Sequence, residues 1–389
     1  MSRSYGAVAR CVSVSVVALI LASLPSVWRF AEGCALLLQL TAAPLPAAVA
    51  RVLTHEIEEH ELLLHTSGAQ VRGRRYTPRS DGAAELPKLL LLHGVHAKGI
   101  DEARLVALGR ALAHAGIDVM TPELTALTHY QVLPESVSEI ESVARAWATE
   151  LHTRSVGVIG ISFAGGLALM AAAAQGGSAP IAYVVSVGAH HDLTRVCDFY
   201  AGRDVRGPEL ERPSVAPHPY GARVFLRRAL PSLIGAQDRA LATQALDSYL
   251  RDQPKEARRL ATGLSPAGQE TMRVLLDGRA SETVARWLKD AAGRERQQLL
   301  AASPRGHLQG LQVPVLLLHG QADPVVPSIE TLHLIRELPP GTLRDALVTD
   351  LLRHAELNEL PDLSKAYRLA RFMQQLLRVA RVTAAANAR

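Results

Sequence analysis

Val156-Gly157-Val158-Ile159-Gly160-Ile161-Ser162-Phe163-Ala164-Gly165-Gly166-Leu167 is a β-rich apolar stretch that meets a glycine, then a serine two residues on, then small residues; an Ala-rich apolar run continues to Ala174. This order predicts strand, tight turn and helix, with Ser162 at the apex. Such a turn strains the serine backbone and holds its hydroxyl clear of neighbouring side chains. Gly160, Ala164 and Gly165 are small because strand and helix nearly touch there. The helix N-terminus aims backbone N–H groups at any anion formed beside the hydroxyl. The geometry points to a serine nucleophile. A plain strand–turn–helix of any α/β domain has a similar pattern, so the partners available to the serine decide.

A serine hydroxyl is a weak nucleophile at neutral pH and needs a base, itself oriented by a carboxylate. With this turn type the chain order is Ser, acid, His. Downstream, Val313-Pro314-Val315-Leu316-Leu317-Leu318-His319-Gly320-Gln321-Ala322-Asp323-Pro324-Val325-Val326-Pro327 reads as a strand ending in a turn. Its apolar run is continuous, as in a parallel strand covered on both faces. Asp323 falls just past the strand's carboxyl end, where α/β sheets place their sites. A helix from Ser328 to Leu338 and a short β-like run from Asp345 to Asp350 follow, and then His354 in the next loop. Upstream, Leu89-Leu90-Leu91-Leu92 runs into His93-Gly94-Val95-His96, a turn able to supply a second backbone N–H beside that of Phe163.

These landmarks resemble the α/β-hydrolase superfamily, most of all its bacterial serine esterase and dienelactone-hydrolase-like branches, over roughly Glu61 to Ala380. The resemblance implies an α/β fold: a mostly parallel central sheet with helices on both faces. It implies Ser162 as nucleophile, His354 as general base then acid, and Asp323 as the orienting carboxylate. The N–H groups of Phe163 and Val95 would form the oxyanion hole. Ala164 departs from the family pattern, which has glycine there, and its methyl must fit against the strand.

Other histidines compete with His354. His93 and His319 sit in His-Gly turns, where the ring packs structurally; His333 falls inside a helix, and His307 precedes the Asp323 strand. His190-His191-Asp192 ends the strand-like run Ile181–Gly188, near the expected site. Asp192 stands as the alternative acid, and His190 and His191 as pocket-lining or structural residues. Adjacent histidines seldom reach one ion, and no carboxylate or cysteine spacing supports a metal. Glu123, at the end of the Ile117–Thr121 run, reads as site-facing or structural.

The 389 residues divide by composition. Residues 1–55 are an apolar segment, 56–192 and 312–389 the two parts of the hydrolase core, and 193–311 an Arg-, Ala- and Leu-rich insertion. Its helical patterns, such as Ala240–Leu250 and Ser281–Leu288, predict a lid that closes over the pocket and excludes water. The formal charge is +5, yet 42 basic and 37 acidic residues are interspersed, with five Phe and three Trp to stack on bases. That excludes a nucleic-acid binder. Cys11, Cys34 and Cys197 have no metal or redox spacing.

Cys11 to Trp28 is uncharged between Arg10 and Arg29, and a second uncharged run spans Gly33 to Ala50. The first is long enough to cross a bilayer as a helix, so membrane attachment is expected. One anchor with Arg3 and Arg10 inside would leave the hydrolase outside the cytoplasm, and a hairpin would leave it inside. A cleaved signal peptide would export it, and both runs packed as core helices would need no membrane.

The sequence therefore predicts a serine hydrolase acting on a small-molecule acyl ester, thioester or lactone through an acyl-enzyme, without cofactor. The alternatives are a non-catalytic, membrane-anchored binding module of the same fold, and a peptidase or acyltransferase with the same triad.

Overall fold

The computed structural model describes residues 26–40, 47–79, 86–174, 180–277, 281–353, 356–357 and 363–388. Helix α1 (residues 26–40) and α2 (Ala47–Leu53) precede the hairpin β1 (Ile57–His65) and β2 (Gln70–Pro78). Then come β3 (Lys88–Leu92), α3 (Ala103–His114), β4 (Asp118–Pro122), α4 (Thr125–Thr128), α5 (Glu135–Glu150), β5 (Val156–Ile161), α6 (Phe163–Ala174) and β6 (Ile181–Val187). Between β6 and the next strand lie α7 (Leu193–Tyr200), α8 (Pro219–Leu233), α9 (Arg239–Leu250), α10 (Pro254–Ala261), α11 (Pro266–Leu276), α12 (Glu282–Arg294) and α13 (Arg296–Ala301). The chain closes with β7 (Val315–Gly320), α14 (Ile329–Glu337), β8 (Leu343–Thr349), the short strands β9 (Leu352–Arg353) and β10 (Glu356–Leu357), and α15 (Leu363–Asn387).

Eight strands form one sheet in the order β1-β2-β4-β3-β5-β6-β7-β8. β2 is antiparallel to both its neighbours, and β4 through β8 are parallel. The order explains the continuous apolar runs. Even positions of β3 and β5 (Leu90, Leu92, Val156, Val158) face one core, and odd positions (Leu89, Leu91, Ile159) face the other. Both faces are covered, so a polar residue enters β3 or β5 only with a partner, as Lys88 at the start of β3 does by pairing with Asp118 (3.1 Å). The first core is filled by α5, α6 and helices of the β6–β7 stretch, the second by α1, α3 and α15.

The chain goes from β3 to β4 on one side and from β4 across to β5 on the other. The direction of winding thus reverses between β3 and β5, which opens a crevice at their carboxyl ends. β3 ends one residue before His93-Gly94, and β5 ends one residue before Ser162.

Part of the second uncharged run is core. Ala35, Leu36 and Leu37 of α1 are buried, and Gly33 lies so close to α15 that a Cβ there would stand 2.5 Å from the Ala370 carbonyl oxygen. Among the described residues no helix is long and apolar enough to cross a membrane. Of the anchor or signal expected over Cys11 to Trp28, only Ser26 to Trp28 are described, in α1, and the rest lies outside the described residues.

Candidate active site

Ser162 occupies the junction of β5 and α6 with φ +56°, the left-handed region that costs a side-chain-bearing residue of order 1–3 kcal/mol. Its N–H donates to the Val187 carbonyl (2.7 Å), and its carbonyl accepts from Gly165 (2.9 Å). A Cβ on Gly160 would lie 2.6 Å from the Ala164 carbonyl oxygen and from the Gly165 Cα. Backbone therefore touches backbone across the turn, and only glycine fits. Ala164 is fully buried in the first core, so its methyl is accommodated, and glycine is required at 160 rather than 164.

Gly94 reaches the same point from β3: a Cβ there would be 3.2 Å from the Ser162 Cβ. His93 shapes this turn. Its Nδ1–H donates to the Gly94 carbonyl (2.8 Å), and its Nε2 accepts from the Leu124 N–H (2.9 Å). Burial pushes its pKa down to about 4, against the pull of the Gly94 bond, so the ring is neutral as both bonds require. A trans peptide points its N–H away from its C=O. Holding the Gly94 carbonyl therefore turns the Val95 N–H the other way. Among the described residues neither the Val95 nor the Phe163 N–H has an acceptor within the chain.

Asp323 is buried in the turn after β7. Its Oδ1 accepts from the N–H groups of Val325 (2.7 Å) and Val326 (3.0 Å), and its Oδ2 lies 3.5 Å from where a Cβ on Gly188 would stand. His319 beside it is committed: Nε2 meets the Val326 carbonyl (2.9 Å) and Nδ1 the Thr331 hydroxyl (2.6 Å). His354 lies outside the described residues, bracketed by the antiparallel pair β9 and β10. Two residues before it, the Leu352 carbonyl abuts Gly320, leaving no room for a Cβ at 320. β9 thereby lies against the end of β7, three residues before Asp323 in the following turn.

The His190-His191-Asp192 group is tied elsewhere. His190 is fully buried; its Nε2–H donates to the Ala302 carbonyl (2.9 Å), its ring fills the space left by Gly166, and burial lowers its pKa to about 4. His191 sits between Glu337 (2.5 Å from Nε2) and Arg195 (2.9 Å from Nδ1), stacked on His333. Asp192 caps α7 through the Thr194 N–H (2.8 Å), and its other oxygen pairs with Arg305 (2.8 Å). Burial raises its pKa, but bonds from Thr194 and Arg305 outweigh that and hold it at about 2. Glu330 binds this loop to α14, accepting from the N–H groups of His191 and Asp192 (both 2.8 Å). Glu123 bonds Arg72 (3.2 Å) in the charge cluster of the β1–β2 hairpin, and His307 bonds the Ser303 carbonyl (2.9 Å).

Two residues that sequence reasoning passed over support the site. The Tyr200 hydroxyl donates to the Val325 carbonyl (2.5 Å) inside the Asp323 turn, and the Tyr220 hydroxyl donates to the Val95 carbonyl (3.1 Å). Gly221 has no side chain because the Tyr200 ring lies against it. The His218 N–H adds a bond to the Pro324 carbonyl (2.7 Å). The stretch from α7 to α8 is therefore stitched to both loops. Nothing local marks these tyrosines in the sequence, because their partners are about 125 residues away in the chain.

Residues 135–354 match the X-Pro dipeptidyl-peptidase (S15 family) profile. No curated protein matches the chain. Among solved structures, the chain resembles the 2-hydroxy-6-oxo-6-phenylhexa-2,4-dienoate hydrolase of Rhodococcus sp. strain RHA1 (16% identity, 76% of this chain and 92% of that one, TM-score 0.42). It also resembles an esterase of Pyrobaculum calidifontis (15% identity, 90% and 91%, TM-score 0.45). An acylaminoacyl peptidase of Pyrococcus horikoshii shares 12% identity over 84% of this chain and 41% of that one, with TM-score 0.45. At such identities these likenesses say nothing about substrate. The S15 match, which begins at α5 and runs through the elbow and the Asp323 turn, covers more than half of the sequence, and the chain belongs to that family of α/β-hydrolases.

Proposed function

We propose that the protein is a serine hydrolase that cleaves an ester-type bond through Ser162, His354 and Asp323. The observation that carries this reading is the elbow: Ser162 held at positive φ, with the Gly94 turn packed on its Cβ. The Ser162 hydroxyl oxygen attacks the carbonyl carbon as its proton passes to His354. Asp323, clamped by two backbone N–H groups, fixes the His354 tautomer. The N–H groups of Phe163 and Val95 hold the oxyanion. His354 then protonates the departing alkoxide, and water, deprotonated by the same histidine, releases the acid. Asp323 is favoured over Asp192 as the acid because both oxygens of Asp192 serve the α7 cap and Arg305. Residues 193–311 act as the cap of the pocket, framed by Tyr200 and Tyr220.

The S15 match favours a second reading, cleavage of a peptide amide. The two are nested. A triad able to expel an amine also expels a better leaving group such as a phenolate, so activated esters are substrates under both. The test is fluorophosphonate labelling of the full chain beside Ser162→Ala and His354→Ala, followed by p-nitrophenyl esters and an Ala-Pro p-nitroanilide. Labelling abolished in both variants is expected. A folded parent that takes no probe sinks the enzyme reading and leaves a binding module.

A further inference from the structure

The outer surface of α1 and α15 differs from the rest of the molecule. These helices carry the exposed Val27, Trp28, Tyr367 and Val382; among the other described residues only Val52, Leu63 and Leu210 are large, apolar and comparably bare. The charge on the same helices is one-sided. α15 contains Lys365, Arg368, Arg371, Arg378 and Arg381 and no acidic residue. Their acidic residue, Glu32 of α1, is taken up by Arg381 (2.6 Å) and the Trp28 indole N–H (3.1 Å). Arg371 and Arg378 are exposed and make no ion pair among the described residues, while Asp350 pairs with Lys365 and also draws on the exposed Arg368. By contrast, Arg72 and Arg74 of the β1–β2 hairpin lie among Glu61, Asp101 and Glu123.

The stripe has one orientation. Leu369, Phe372, Met373, Leu376 and Ala380 bury the inner side of α15 in the second core. Tyr367, Arg371, Arg378 and Val382, spaced by one or two turns, look outward. α1 lies alongside: Phe30 packs 5.3 Å from the Tyr367 ring, and the Ser26 carbonyl meets Gln374. Ser26 to Trp28, the end of the uncharged run that starts at Cys11, form the first turn of α1 on this face.

We infer that the α1–α15 face docks on an anionic lipid bilayer. Guanidinium groups without carboxylate partners bind headgroup phosphates, each worth roughly fivefold in partitioning near such a surface. Trp28 and Tyr367 have the amphipathic rings that settle at headgroup depth, and Val27 and Val382 add apolar contact. A nucleic acid would use the same arginines but gives no reason for bare valines among them.

The test floats the full chain with vesicles of phosphatidylcholine alone and of phosphatidylcholine containing phosphatidylglycerol. Both vesicles meet the apolar N-terminal run alike, so the difference between them reads the arginine face. The proposal expects preference for the phosphatidylglycerol vesicles, cut roughly a hundredfold in Arg368→Gln/Arg371→Gln/Arg378→Gln with an unchanged unfolding midpoint. Trp28→Ala/Tyr367→Ala should weaken binding and keep the preference. Equal partitioning into both vesicles, preference retained by the triple variant, or displacement from vesicles by a short DNA duplex would each overturn it.

Discussion

Gly160→Ala tests the elbow most directly. The new Cβ would stand 2.6 Å from the Ala164 carbonyl oxygen and from the Gly165 Cα, about 0.8 Å inside the 3.4 Å at which ordinary contact begins. Both obstacles are backbone, so no rotamer relieves them; β5 and the first turn of α6 must part. Overpacking of this kind costs about 1–3 kcal/mol of stability. The larger effect falls on Ser162, two residues on. A displacement near 1 Å at the reacting atoms costs about a hundredfold in rate. Ala164→Gly is the companion. It removes one buried methyl, about 0.8 kcal/mol, and places glycine in a helix, about another 1 kcal/mol, without moving Ser162. The assay is the second-order rate of fluorophosphonate labelling, with the thermal unfolding midpoint measured on the same samples. Gly160→Ala should label about a hundredfold more slowly, and Ala164→Gly close to the parent rate with a lower midpoint. A folded Gly160→Ala that labels like the parent refutes the close-approach argument, as does an Ala164→Gly that loses as much rate.

Asp323→Asn should lower ester turnover by about 10⁴ by freeing the wrong tautomer of the base, whereas Asp192→Asn should keep its turnover and lose stability; the opposite pattern makes Asp192 the acid. Asp192 lies below its unfolded pKa, so its stabilisation is complete above about pH 4 and fades as pH falls toward about 2. His93 and His190 are also depressed, to about 4, so the unfolded chain takes up their protons first. Urea midpoints should therefore fall between about pH 6.5 and 4, and a flat profile there argues against two buried neutral imidazoles. Tyr200→Phe leaves the buried Val325 carbonyl without its donor and should cost about 1–3 kcal/mol. Turnover should fall as well, since the Val325 N–H holds Asp323; parent-like turnover at lowered stability reduces Tyr200 to a packing residue.

What could be read from the sequence follows from how far apart the cooperating residues lie. The elbow is a demand of local backbone, so it is spelled in contiguous residues from Val156 to Leu167, and the buried strands announce themselves because both faces of each are covered. β1 is harder to read. Its first half, Ile57–His60, carries Glu58 and Glu59 and is sustained by pairing with β2 and by Arg79, Arg74 and Arg110 rather than by apolar alternation. The run after Gly33 reads as membrane-related when seen alone, since its partners, Ala370 and Gln374, arrive more than three hundred residues later. His190, adjacent to the expected site in the chain, is bonded instead to Ala302, 112 residues on. The same distance hides Tyr200 and Tyr220. Residue type identifies a nucleophile or a carboxylate, because the chemistry restricts the choice; a hydroxyl that merely holds a carbonyl in place can come from any element the fold brings near, so only the packed chain reveals it.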